Sequence, residues 1–265
     1  MAIDYIINYS CPPKDQLSSE GILSRLKGEE RAHTIIRLFR ENDDQRPPSE
    51  MGFEFTRRTP QGDEENRVIV VQDLLDNAEE LRPLEKHCEG CPANRAERRF
   101  GCMNFVRYPI SATAESWLLD QLPVPDEILV WQLLKMGVSE FKYDGSSIEP
   151  LRNSANVFFE ADEPATRLLG AFEIDANQLF EMIFSVGNVS PNHAAMLLMF
   201  VHAITRNVEA DEIKAITSIP NSAAQHHPFI LATNDEDDPS VAEYKAFFHA
   251  LHTAWTLNVQ LILDV

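Results

Sequence analysis

Three of the four cysteines in this 265-residue chain lie within one short segment. Cys88 and Cys91 form a C-x-x-C motif with Gly90 between them, and Cys102 follows eleven residues after Cys91. A C-x-x-C loop turns back on itself so that both thiolates point at one ion, and Gly90 permits the tight turn. Zinc takes four tetrahedral ligands, and Cys11 is the remaining cysteine. The spacing therefore predicts a structural zinc site of Cys11, Cys88, Cys91 and Cys102.

Three alternatives to this ligand set stay open. His87 competes with Cys11 for the fourth position, although a residue next to Cys88 reaches the same ion only by straining the loop. A [4Fe–4S] cluster would use the same four cysteines, because one remote cysteine and a clustered trio also suit four irons. Thiols without a metal, or a redox pair, are the third alternative. Four-thiolate zinc leaves no coordination position open, so the metal would support the fold and not catalysis.

The composition indicates a soluble protein of a reducing compartment. Hydrophobic residues make up 44% of the chain, yet no run of eighteen apolar residues occurs, so we expect no membrane contact. Polar residues such as Asp4, Lys14 and Asp15 interrupt the segment where a signal peptide needs an apolar stretch. Four cysteines are too few for a disulfide scaffold of this length. We therefore expect a cytoplasmic protein.

The negative charge is concentrated in the second half of the chain. The formal net charge is −19. Residues 1–110 hold 16 basic and 20 acidic side chains, whereas residues 111–265 hold 7 and 22. This field repels nucleic acid and anionic lipid, and it suits a protein partner. An acidic surface also keeps a protein soluble without any partner.

A local basic cluster lies next to the cysteines. Arg95, Arg98, Arg99 and Arg107 are interleaved with aromatic residues. Arginines and aromatic residues on a metal-held loop are suited to binding phosphate or single-stranded nucleic acid. We therefore expect nucleic acid to bind, if at all, only through this cluster. The competing interpretation is that these arginines pair with the protein's own carboxylates.

An acidic run near the C-terminus offers a second cation site. Asp235, Asp237 and Asp238 follow an expected strand over residues 229–232, where open α/β sheets place ligands, and carboxylates are the ligands that magnesium prefers. The alternative is that Asp238 is the N-cap of a helix that begins at Pro239.

The apolar patterns predict an α+β fold. We expect a metal-binding module over residues 1–110, in which mixed sheet elements surround an irregular metal-pinned loop. A helix-rich acidic region over residues 111–265 follows, either as a second module or continuous with the first. The main expected elements are a strand over 3–9, a helix over 19–41 interrupted at Gly28, a hairpin over 53–72, helices over 113–122, 126–136 and 191–207, and a final β-α-β unit over 229–232, 239–254 and 257–265.

The lack of catalytic sequence motifs favours a binding role. The sequence contains no GxGxxG, Walker A, HExxH or GxSxG motif. The pattern therefore predicts a structural-zinc protein that acts as a binding or regulatory component with a protein partner. The alternative is an iron–sulfur-containing enzyme or nucleic-acid processing component.

Overall fold

The N-terminal strand lies inside a small antiparallel sheet. The computed structural model describes residues 2–58, 64–94, 97–218 and 226–264. Strand β1 pairs on one side with β4 and on the other with β8, which in turn pairs with β7. The strand bounds are Ala2–Ile7 for β1, Met103–Arg107 for β4, Asn188–Val189 for β7 and Leu261–Asp264 for β8.

The chain divides into two units. The smaller unit is Ser10–Cys91, and the larger unit combines Met1–Tyr9 with Pro92–Val265. The boundary expected near residue 110 falls inside the larger unit, because β4 precedes that position and is hydrogen-bonded to β1.

The smaller unit is built from two helices and a hairpin. Its core contains Ala32, Met51 and Val71. The strands of the expected hairpin pair in register from Gly52↔Val70 to Arg58↔Glu64, and residues 59–63 between them lie outside the described residues. The element bounds are Pro12–Glu41 for α1, Gly52–Arg58 for β2, Glu64–Val70 for β3 and Val71–Glu79 for α2.

Helix α1 leaves helical geometry at Ser18 and not at Gly28. The Ser18 backbone has φ 60°, and its hydroxyl accepts a hydrogen bond from the Gly21 N–H at 3.1 Å, so the longer part of α1 has its own cap. Gly28 lies in the continuous part of the helix. A Cβ added to Gly28 would lie 3.5 Å from the Leu74 side chain.

The larger unit adds a helical layer to the sheet, and the expected α+β class is confirmed. None of the described helices has both the length and the apolar character needed to cross a membrane. The element bounds are Ala112–Asp120 for α3, Ile128–Phe141 for α4, Glu149–Arg152 for α5, Thr166–Leu169 for β5, Phe172–Asp175 for β6, Ala176–Phe184 for α6, Pro191–Phe200 for α7, Ala210–Ser218 for α8 and Pro239–Thr256 for α9.

Aromatic side chains join the sheet of the larger unit to its helices. The ring of Phe247 on α9 lies 5.3 Å from that of Tyr5 on β1 and 4.9 Å from that of Phe184 on α6. Trp255 is fully buried, and its indole N–H donates to the carbonyl of Ile216 at 3.2 Å. Helix α9 therefore forms the centre of this core.

The expected β-α-β unit is wrong in its first strand. Residues 229–232 form no strand, although α9 and β8 follow close to the expected positions. The Ile230 N–H instead donates to the carbonyl of Ala203 at 3.0 Å. Because β8 pairs antiparallel with both β1 and β7, both of its edges are occupied.

A buried ion pair ties three helices of the larger unit together. Glu115 on α3 and Arg152 on α5 lie 2.9 Å apart, and each side chain is only 2% exposed. The Arg152 guanidinium also donates to Asn177 on α6 at 2.7 Å and to the carbonyl of Ala161 at 2.9 Å. It lies 4.1 Å from the centre of the Phe159 ring.

Replacing Glu115 by alanine is expected to lower the free energy of unfolding by about 3–5 kcal/mol, because the Arg152 charge stays buried without its counter-ion. Urea denaturation measures the loss. The exposed Glu163 provides the control, and Glu163→Ala is expected to change stability by less than about 0.5 kcal/mol. Equal denaturation midpoints for the two variants would contradict this account.

Candidate functional site

The C-x-x-C segment forms the tight turn that its sequence requires. The Cys91 N–H donates to the Cys88 carbonyl at 3.3 Å, and Gly90 has φ 68°, a left-handed conformation that glycine adopts without strain. Both cysteine side chains are partly exposed. This turn leaves both thiols within reach of solvent.

The other two cysteines occupy regular positions at element ends. Cys11 is the N-cap residue of α1, and Cys102 is buried immediately before β4. All four cysteines are among the described residues, and none of the four forms a disulfide. Within the described ranges, no group of three or more His, Cys, Asp or Glu side chains is placed to hold a metal ion. The four-cysteine site therefore stays a prediction.

At least two of the four arginines near the cysteines contact other groups of the protein. Arg107 pairs with Glu243 at 2.7 Å, which confirms the intramolecular interpretation for this residue. Arg98 donates to a backbone carbonyl at 3.2 Å. Arg99 is exposed, and Arg95 lies outside the described residues. A nucleic-acid contact through this cluster also stays a prediction.

The acidic run before α9 has structural partners. Asp238 is the N-cap of α9 and accepts from the Ser240 N–H at 2.9 Å, which confirms the capping interpretation. Both carboxylate oxygens of Asp237 lie 2.7 Å from the Lys245 ammonium, and this hydrogen bonding lowers the pKa of Asp237. Asp235 is exposed. Two of the three carboxylates proposed for magnesium thus already stabilise the helix start.

An apolar cavity of about 600 Å³ lies in the larger unit between α4, α6 and α7, and we call it the α4–α7 groove. Helix α4 lines it with Leu133, Met136, Gly137, Glu140 and Phe141. These positions are three and four residues apart, so they form one continuous stripe along the helix. One wall of the groove is therefore a single helix face.

Helix α4 carries a second apolar stripe next to the first. Val130, Leu134 and Val138 are four residues apart and buried in the core. The groove stripe is left open, since Met136 is 51% exposed and Phe141 is 71% exposed. Contiguous apolar surface of this kind marks binding sites in soluble proteins.

The opposite wall comes from α6 and α7. Met182 on α6 faces the groove together with His193, Met196 and Phe200 of α7, which are spaced three and four residues apart. With Met136, three of the chain's seven methionines line this groove. Methionine side chains are flexible and polarisable, so they adapt to different apolar ligands.

Gly137 leaves the middle of the α4 wall open. A Cβ added there would meet no atom within 4 Å. The helix ends at Lys142, whose left-handed backbone (φ 56°) turns the chain so that Tyr143 lines the end of the groove. Burial raises the pKa of Tyr143, which keeps its hydroxyl neutral.

His193 is the titratable group in the α7 wall. Its backbone N–H donates to the Ser190 hydroxyl, which caps α7. Burial lowers the pKa of His193 below its ordinary value of 6.5. The positive end of the helix dipole acts in the same direction. The imidazole is therefore neutral at pH 7, and this wall carries no positive charge from it.

A smaller polar cavity of about 380 Å³ lies beside the start of α6. Asp144, Glu149, Asp162, Asp175 and the buried Arg152 all line it. Asp175 accepts from the backbone as the N-cap of α6, and the Arg152 guanidinium is already ion-paired. Asp175 and Arg152 thus already maintain the local structure, and the α4–α7 groove is the stronger candidate site.

Comparison with known proteins finds no match to a family model, to a curated protein or to a solved structure. The groove was also not expected from the sequence, because the predicted helix over 126–136 stopped just before Gly137. The signal that reveals it is the apolar repeat at intervals of three and four residues from Leu133 to Phe141.

The stability of the protein is expected to depend on His193 below neutral pH. The unfolded chain binds a proton at this residue near pH 6.5, whereas the folded chain resists it, so stability falls as the pH drops from 6.5 towards the lowered pKa. Urea midpoints of the wild type and His193→Asn, measured from pH 7.5 to 5, test this. The wild type should lose more stability on acidification, and parallel curves would contradict the assignment.

Proposed function

We propose that the protein is a binding or regulatory component that takes apolar side chains of a protein partner in the α4–α7 groove. The observation that carries the proposal is the open apolar stripe of α4, where Met136 and Phe141 stay 51% and 71% exposed beside an apolar cavity. Interface cores are enriched in aromatic residues and methionine, as this surface is. The acidic second half of the chain suits such an interaction surface.

The exposure of Phe141 favours a protein partner over a small apolar ligand. A small molecule buries most of its own surface inside a cavity. It would fill the space between the helices and leave the outer part of the Phe141 ring in water. A partner surface covers both the cavity and its apolar rim, and it removes more apolar area from water.

Photo-crosslinking tests the groove as the contact surface. A benzoyl-phenylalanine in place of Phe141 is expected to give a discrete protein adduct in the cells that make this protein, because that ring lies at the mouth of the groove. The matched control has the same group at Leu168, which is 69% exposed on β5. The adduct is then identified by mass spectrometry.

Filling the groove from its own wall provides the second half of this test. Gly137→Leu is expected to abolish the Phe141 adduct, since its side chain extends into the open space beside Gly137. Gly137→Ala keeps most of that space and is expected to stabilise the helix by about 0.4–1 kcal/mol. An adduct that survives Gly137→Leu, or that also forms at Leu168, would contradict the proposal.

We also propose that Cys11, Cys88, Cys91 and Cys102 bind one structural zinc ion. The turn between Cys88 and Cys91, with Gly90 in the left-handed conformation, supports the pairing of these two ligands. Four thiolates form a closed site whose contribution is to the stability of the fold. Metal binding and folding are coupled at such sites, so the ligands come together as the ion binds. A reducing, cytoplasmic location belongs to the same proposal.

Elemental analysis of protein purified without chelator is expected to find about one zinc per chain. Cys91→Ala removes a ligand and should lose the metal, whereas His87→Ala should retain it. A metal-free wild type would refute the zinc proposal. Iron together with absorbance near 400 nm would instead support the [4Fe–4S] alternative, since iron–sulfide absorbs there and zinc does not.

A further inference from the structure

We infer that the occupant of the α4–α7 groove is an amphipathic α-helix with basic residues near the Tyr143 end of the groove. This inference rests on the proposed function and specifies its partner. Two observations support it: the backbone of both groove walls is helical, and one end of the groove carries negative charge.

The walls favour a helical occupant over an extended one. The groove-lining parts of α4 and α7 are helical, so their backbone N–H and C=O groups are largely used within those helices. An extended segment lying along these two helices would find few free backbone groups with which to pair. A helix satisfies its backbone internally and needs only side-chain contacts. Apolar anchors at intervals of three and four residues then pack against the ridges of α4 and α7.

Two carboxylates lie at the Tyr143 end of the groove. Glu140 lines the groove itself. Glu181 precedes Met182, and after burial its charge is the second cause of the raised pKa of Tyr143. Its carboxylate accepts from the Gly145 N–H at 2.9 Å and from a neighbouring serine hydroxyl at 2.6 Å. Neutral donors therefore hold Glu181 in place without neutralising its charge.

Basic groups do not balance this end. Among the described residues that line the groove, none is a lysine or an arginine. Lys142 lies between Phe141 and Tyr143 and offsets one of the two negative charges. Lys135 lies on the other face of α4, where its ammonium is 5.4 Å from the centre of the Trp131 ring. The remaining negative potential attracts a cationic segment and repels an acidic one.

Two synthetic helical peptides with the same apolar face test the inference. One carries lysine at the polar positions of one end, and the other carries glutamate there. Fluorescence anisotropy at low salt is expected to give at least about tenfold tighter binding of the lysine peptide. The difference should shrink at about 0.5 M salt, where charges are screened beyond a few ångströms.

Variants of the protein locate the effect. Glu140→Gln should weaken binding of the lysine peptide several-fold and strengthen binding of the glutamate peptide by relieving repulsion, whereas the exposed Glu163→Gln should alter neither. Gly137→Leu should abolish binding of both peptides, and Gly137→Ala should preserve it. Circular dichroism and urea denaturation confirm that each variant is folded.

The outcomes separate this inference from the function on which it rests. Equal affinities for the two peptides, both lost in Gly137→Leu, would overturn the basic-helix inference and leave the groove as a protein-binding site. Binding of a fatty acid that Gly137→Leu abolishes, with neither peptide bound, would overturn both. Preferential binding of the lysine peptide that is unaffected by Gly137→Leu would place the contact elsewhere and also overturn the inference.

Discussion

Helix α4 carries two apolar stripes side by side, and the core of the larger unit can cover only one of them. Val130, Leu134 and Val138 are buried, whereas the neighbouring stripe with Met136 and Phe141 meets α6 and α7 across an open groove. Exposed aromatic and methionine side chains in a contiguous patch carry a cost in solubility that single surface residues do not. A binding surface accounts for this cost, which is why the groove and not the cysteine cluster carries the proposed interaction.

The acidic end of the groove depends on the packing of the loop that follows α4. Gly145 has φ 79°, and a Cβ there would lie 2.9 Å from the Cβ of Asn177, so only glycine permits this approach to α6. That close approach lets Glu181 accept from the Gly145 N–H. Asn177 in turn accepts from Arg152, the cation of the buried ion pair. The same contacts that stabilise the helices therefore also fix a carboxylate at the end of the groove.

The sequence predicted the existence of helices and strands better than where they end and how they pair. The helix that starts at Pro239 was found because Asp238 and the apolar repeat after it are local signals. Two failures came from tertiary context. Residues 229–232 have strand-like composition, but they cannot pair with β8 as the expected unit suggested, because β8 already has partners on both sides. Gly137 is typical of helix ends, yet α4 continues to Phe141. The predicted helix ended before that glycine and so contained only part of the apolar stripe that lines the groove. The local pattern alone therefore did not reveal that the stripe continues to Phe141.

The charge of the second half of the chain also limits what can cover the groove. Pairing the groove with a second copy of this chain through a symmetric contact would bring two acidic surfaces together. Residues 111–265 hold 22 acidic and 7 basic side chains, so that contact would have to overcome repulsion between like charges. In the proposed complex, a basic helix would meet the same groove with attraction at the Glu140 end and apolar contact along α4. The negative field that opposes self-association through an exposed apolar stripe would then also favour a cationic partner.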